Sequence, residues 1–207
     1  MSIERRTRLL EALETAPPHL RRIVKPRASI IAGNWDLAAY AYQQAFEAMW
    51  DHAIARAAGA DAGHSSSLIV HPLLMLWRQS VELSIKAAIE GTTGQKPDGG
   101  HDLATLFRRL LEVRRERGDL ERDDDDLTAQ VARLIGEFQA LDVGADRWRY
   151  PTDRKGQPYG GDAVDLDQLF QAHARITGWC DGAGVEAERA NLRGREGSES
   201  PGSSPAI

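Results

Sequence analysis

Between Ser65 and Gly91 the chain reads SSSLIVHPLLMLWRQSVELSIKAAIEG, and no other stretch constrains the fold as tightly. Its first half carries no charge and is apolar on every side of a helical projection, the pattern of a helix surrounded by other elements. The charge-free run, residues 65–77, falls well short of the roughly 20 residues a membrane-spanning helix needs, so no membrane association is expected. Ser65 to Ser67 offer caps, Pro72 is tolerable near the first turn or two, and the helix is expected to reach about Glu90. The second half places Arg78, Glu82 and Lys86 at four-residue steps and therefore on one face. A helix buried on most sides cannot carry a lone charge cheaply, so Glu82 is expected to pair with a cation, and both neighbours are within reach.

A central helix of this kind needs others to cover it, and the rest of the chain supplies them. Leu9, Leu10 and Leu13 mark a short helix over residues 4–15, ended by Pro17 and Pro18. Asn34 is a plausible N-cap for a helix over 35–58, where Trp35, Tyr42, Phe46, Met49 and Trp50 recur at core-stripe spacing. After the turn-rich GTTGQKPDGG, Asp102 of the His-Asp-Leu sequence caps a helix reaching about Arg117. The aspartates at 123–126 precede a helix over 125–142 and suit capping and the helix dipole better than a metal site. A last helix over 164–181 carries Leu166, Leu169, Phe170, His173, Ile176 and Trp179 near one stripe. From Gly182 onward large apolar residues almost vanish, so residues 182–207 are expected to be a disordered tail. The expected fold is an all-α bundle of about five to six helices, a single domain over 1–181, with a short extended arm near 146–160.

Charge and cysteine usage narrow the function. With 26 Lys and Arg against 31 Asp and Glu, the formal net charge of −5 lacks the global basic signature of an autonomous nucleic-acid binder, so any polyanion contact must be local. The lone Cys180 excludes an intrachain disulfide and a cysteine zinc site. The N-terminal MSIERRTRLLEALETA interleaves charges with apolar residues and does not resemble a signal peptide, which makes the cytoplasm the expected compartment. No glycine-rich phosphate loop, serine nucleophile elbow or His/Glu zinc motif occurs, so neither a cofactor nor a metal is implied.

The arm, GADRWRYPTDRKGQPYGG at 144–161, is richer than a connection requires. Pro151 and Pro158 break helices, and TDRKG is a turn signal, which predicts a small β-hairpin. On an extended strand Trp148 and Tyr150 would pack on the bundle, while Arg147 and Arg149 face the other way. Such arginines either contact phosphate or carboxylate groups of a partner or bridge acids of the bundle such as Glu82 and Asp102. Arg149 is expected to turn inward in this way, leaving Arg147, Arg154 and Lys155 exposed.

Taken in order, WRQSVELSIKAAIEG, a turn-rich loop, GHDLATLF, a further helix and DRWRYPTDRKG resemble the pattern of bacterial HEPN superfamily proteins. In these all-α bundles an Arg-x-x-x-Glu-x-x-x-Lys helix precedes a His-Asp-Leu turn, and the resemblance covers about residues 68–160. It implies a bundle of four to six helices, frequently a homodimer, with roles around RNA: ribonuclease toxins and defence effectors, RNA or nucleotide binding, or inactive scaffolding. The positions it carries over are Arg78, Glu82, Lys86, His101, Asp102, Arg149, Tyr150 and Asp153. Active members cut RNA with an Arg followed, after four to six residues, by a His. Here the histidines are 19, 52, 64, 71, 101 and 173, and none has an Arg at that distance before it. The expected function is therefore a non-catalytic RNA- or protein-binding component, accessory or regulatory, of a defence or toxin-antitoxin system. The alternative is a divergent ribonuclease whose site is assembled from His101, Arg78 and Arg149. A His before an Asp cap ordinarily packs and contacts backbone, and the position of the His101 ring separates the two readings.

Overall fold

The computed structural model describes residues 3–15, 31–57, 62–97, 99–119, 126–160 and 164–198. The chain divides into two units, Met1–Ala32 and Gly33–Ile207. The first holds helix α1 (Ile3–Thr15), in which the Thr7 hydroxyl donates to the Ile3 carbonyl one turn back at 3.1 Å. The second is a bundle of α2 (Trp35–Ala57), α3 (Ala62–Thr93), α4 (Leu103–Arg117), α5 (Asp126–Leu141) and α6 (Leu166–Ser198). The all-α class expected from the periodicities is what forms, and no strand occurs among the described residues. Among them, too, no helix is long and apolar enough to cross a membrane.

α3 is the axis of the bundle, packed against α2, α4 and α6, while α5 closes the ring against α4 and α6. Within its apolar half α3 buries Leu73, Leu74 and Trp77 as expected, but burial is more complete in the charged half. Its apolar beginning includes Leu68, 81% exposed, whereas every residue from Val81 to Ile89 is buried, charged ones included. The neighbouring helices surround the second half, so polarity there is met by internal partners. α3 also starts earlier than its serines suggest, which leaves Pro72 inside the helix. The ring removes one donor to the Leu68 carbonyl, on a residue that water reaches.

Aromatic side chains fill the centre and satisfy their own polar atoms. Trp77 and Phe138 stack with centroids 3.8 Å apart, and Trp148 lies against Phe138 at 4.7 Å. The indoles of Trp50 and Trp77 donate to the carbonyls of Leu166 and Leu169 at 2.8 and 3.1 Å, which fixes the start of α6. Trp179 donates to Thr128 on α5 at 3.0 Å. Of the α2 stripe, Phe46 is fully buried while Tyr42 lies exposed.

α6 does not end at residue 181: residues 182–198 continue it, against the expectation of a disordered tail, and 199–207 lie outside the described residues. The buried seam there is made of small residues, Ala183 and Ala187, and a Cβ at Gly91 of α3 would lie only 3.8 Å from the Gly184 Cα. Close backbone approach replaces bulky side chains, and a count of large apolar residues misses it. α4 supplies the polar partners: Arg114 pairs with Glu186, and Arg117 reaches the Ala187 carbonyl at 3.3 Å and Asn191 at 3.2 Å.

Candidate functional site

The Arg78, Glu82, Lys86 face of α3 builds a buried charge cluster. Lys86 Nζ donates to Glu82 Oε1 at 2.8 Å and lies over the Trp35 ring, 5.8 Å from its centroid. Arg78 Nη1 stands 3.7 Å from the other Glu82 oxygen, a looser contact. Its stronger partner is Asp142 at the end of α5, whose Oδ2 accepts from Nε at 2.9 Å. Two carboxylates thus face two cations, all four buried, which is how such charges become tolerable inside a bundle.

From this cluster the connections run to two loops. Arg78 Nη2 donates to the His101 carbonyl at 2.7 Å, and Glu82 Oε1 accepts from His101 Nδ1 at 2.9 Å. Asp102, in extended conformation, caps α4 by accepting the Thr105 amide at 2.6 Å, and Gln139 Oε1 takes the Leu103 amide at 2.8 Å. The His-Asp-Leu turn is thereby held from both sides. Asp142 Oδ1 accepts the amides of Asp146 and Arg147 at 2.9 and 3.0 Å, which ties the arm to the same cluster. Ala145 between them adopts the left-handed conformation, φ 59°, which the Asp142 contacts hold in place.

The arm departs from the expected strand in its first half. The amides of Arg149 and Tyr150 both bond the Asp146 carbonyl, so 146–150 is a helical turn and side chains do not alternate. Trp148 is 5% exposed and Tyr150 is 60% exposed, so only the tryptophan anchors the segment. The hairpin forms further on, with an antiparallel bridge between Thr152 and Pro158. Asp153 Oδ1 shapes its turn by accepting the amides of Lys155 and Gln157, each at 2.8 Å. Tyr159 closes the base by donating to Asp146 Oδ1 at 2.8 Å. That bond lowers the Asp146 carboxyl and pushes the Tyr159 phenol up to about 12.

Between the arm and the His-Asp-Leu turn lies an open cleft of about 590 Å³, lined by His101, Arg149, Tyr150, Asp153 and Arg154 among others. The His101 side chain is 61% exposed. Nδ1 faces the Glu82 carboxylate, so in the neutral tautomer that donates there Nε2 carries the free lone pair towards the exposed side. Arg149 does not turn inward to Glu82 or Asp102: it lies exposed, 3.3 Å from Gln79 Oε1, while Glu82 is held by Lys86 and His101 and Asp102 by the Thr105 amide. Arg154 is the freer cation, its side chain 83% exposed and 3.3 Å from Asp146. Arg147 does not line the cleft. Its guanidinium donates to the Leu141 carbonyl at 3.4 Å and lies over the Tyr159 ring. Arg78, Glu82 and Lys86 form the foundation beneath the cleft and are too buried to meet a macromolecule themselves.

Asp142, Asp146 and Gln139 were not singled out from the sequence, although an Asp before a glycine-containing turn, as in LDVGAD, is a recognisable turn-shaping signal. His173 carried no signal beyond its place on an apolar stripe. It is buried against Phe46, with Nε2 2.8 Å from Ser80 Oγ, and burial pushes its pKa down to about 4. His71 on α3, in contrast, is only half-buried. Among the described residues no three His, Cys, Asp or Glu side chains form a group able to hold a metal ion, and Asp123 to Asp125 lie outside them. No family model matches the chain, and neither a curated protein nor a solved structure matches it.

Proposed function

We propose that the protein is a HEPN-like helical bundle that binds single-stranded RNA in the cleft between the arm and the His-Asp-Leu turn. The observation that carries this reading is the cleft itself, where an exposed imidazole, two exposed arginines and an exposed tyrosine converge above a prebuilt ion cluster. Arginine forks suit phosphate, and a tyrosine face suits a base, the combination by which single strands are gripped. Fluorescence anisotropy with a labelled single-stranded RNA at two salt concentrations tests it. Exchanging Arg149 and Arg154 for Ala should weaken binding and flatten the salt dependence, by about 0.7 in log–log slope for each phosphate no longer neutralised. No binding by the wild type at low salt would exclude RNA and leave a protein partner. The resemblance also supports a homodimer, which sedimentation velocity tests.

A second reading is favoured by one specific contact, the Glu82 carboxylate on His101 Nδ1. An imidazole so held can act as a general base through Nε2. In the corresponding reaction His101 takes the proton of a ribose 2′-hydroxyl, the 2′-oxygen attacks the adjacent phosphorus, and the 5′-oxygen leaves with a proton returned by the imidazolium. Arg149 would face the charge gathering on the phosphorane. End-labelled RNA incubated in excess chelator with wild type and His101→Gln decides between the readings. Cleavage by the wild type alone, with a 2′,3′-cyclic phosphate end, marks an enzyme, and intact RNA in both removes the enzyme reading, leaving the anisotropy to decide on binding.

A further inference from the structure

His101 borders a second cavity, of about 310 Å³, lined by α3, α4 and the loop between them and by no residue of the arm. Its floor is apolar, made by Ile89 and Leu106, both buried. Lys96, Arg109 and Thr105 also line the cavity, the Thr105 hydroxyl accepting from Arg108 at 3.1 Å. Among the described residues Arg109 pairs with Glu112 at 3.6 Å, with both side chains about half exposed, and Lys96 makes no ion pair. Exposed pairs of that kind contribute little, so the guanidinium can be drawn to a stronger anion at small cost. Asp102 also lines the cavity, but its carboxylate is committed to the Thr105 amide. The volume lies at the small end of ligand pockets, enough for one planar heterocycle and too small for a helix or a folded segment.

We propose that this cavity is a second subsite of the same groove, taking one nucleobase of a single strand on the far side of His101 while Lys96 and Arg109 hold its phosphate. This inference rests on the RNA-binding reading. The strand then crosses the imidazole, one base against Tyr150 on the arm side and the next on Ile89 and Leu106. The His-Asp-Leu turn becomes the partition between two base sites, and its attachment to Glu82 and Arg78 keeps that partition fixed.

The test uses single-stranded RNA containing 4-thiouridine, photocrosslinked to the full-length protein and mapped by mass spectrometry, alongside anisotropy of three variants. Crosslinks are expected both near Tyr150 and on the segment from Thr93 to Arg109. The Lys96→Glu, Arg109→Glu double variant should bind roughly tenfold more weakly, with a shallower salt dependence, while Lys96→Arg retains wild-type binding. Wild-type binding that Arg149→Ala, Arg154→Ala weakens but Lys96→Glu, Arg109→Glu does not, with crosslinks confined to the arm, overturns the second subsite and leaves the first standing. Absence of RNA binding by the wild type overturns both. Circular dichroism of each variant checks that these exposed changes leave the helices intact.

Discussion

Glu82 is the residue on which the site turns, because it accepts from Lys86 and His101 and faces Arg78. Replacing it by Ala leaves a buried Lys86 with only the Trp35 ring, and such losses run to about 3–5 kcal/mol. Urea unfolding should show this. Replacing Arg78, Glu82 and Lys86 together by apolar residues should cost less, although Asp142 is then left without its own cation. His173 gives a second residue-scale prediction. Its folded pKa of about 4 lies below the ordinary value of 6.5, so the unfolded chain binds the extra proton first. The stabilisation is complete above about pH 6.5 and is lost as pH falls towards 4, a change of about 3 kcal/mol at most. His173→Gln, which can still meet Ser80, should flatten the stability profile over that window relative to wild type. A wild-type profile no steeper than that of the variant would show that burial does not hold the ring neutral.

For the elements, the arm and the end of α6 make opposite demands. Trp148→Ala should release the arm and destabilise the bundle by about 3–5 kcal/mol, since it removes a buried aromatic against Phe138. Tyr150→Ala should leave the melting temperature within a degree or two of wild type and weaken RNA binding alone. Truncation after Gly182 removes Ala183, Ala187 and the Glu186 partner of the buried Arg114, so it should lower the melting temperature well beyond that. The sequence led to the contrary expectation because glycine and alanine seams carry little of the hydrophobicity by which burial is ordinarily recognised. The helices themselves were legible from caps and periodicity: Asn34 accepts the Leu37 amide and Asp102 the Thr105 amide, as their positions suggested. The strand-like alternation assigned to 146–150 failed because Asp142 and Asp146 wind that segment into a turn through contacts three to five residues apart, a local aspartate signal that a period-two reading of the aromatic and arginine positions passes over.

At the scale of the whole molecule, an acidic chain with a few clustered cations should bind RNA differently from a basic one. The net charge of −5 offers no long-range attraction, so association should gain little from electrostatic steering. With Arg149, Arg154, Lys96 and Arg109 as the phosphate contacts, the logarithm of the affinity should fall with the logarithm of salt at a slope of about −3. A titration giving a slope more than twice as steep would place the binding face elsewhere. Charge totals alone could not locate these cations, since the fold gathers them from the loop before α4, from α4 itself and from the arm. One bond pattern also sets how the molecule breathes. Asp142 offers one oxygen to Arg78 inside the bundle and the other to the amides of Asp146 and Arg147. Those amides cannot meet solvent without disturbing the carboxylate that neutralises Arg78, so the base of the arm shares the protection of α3. In hydrogen exchange the two amides should take up deuterium with the slow core, while those of the hairpin tip around Lys155 exchange early.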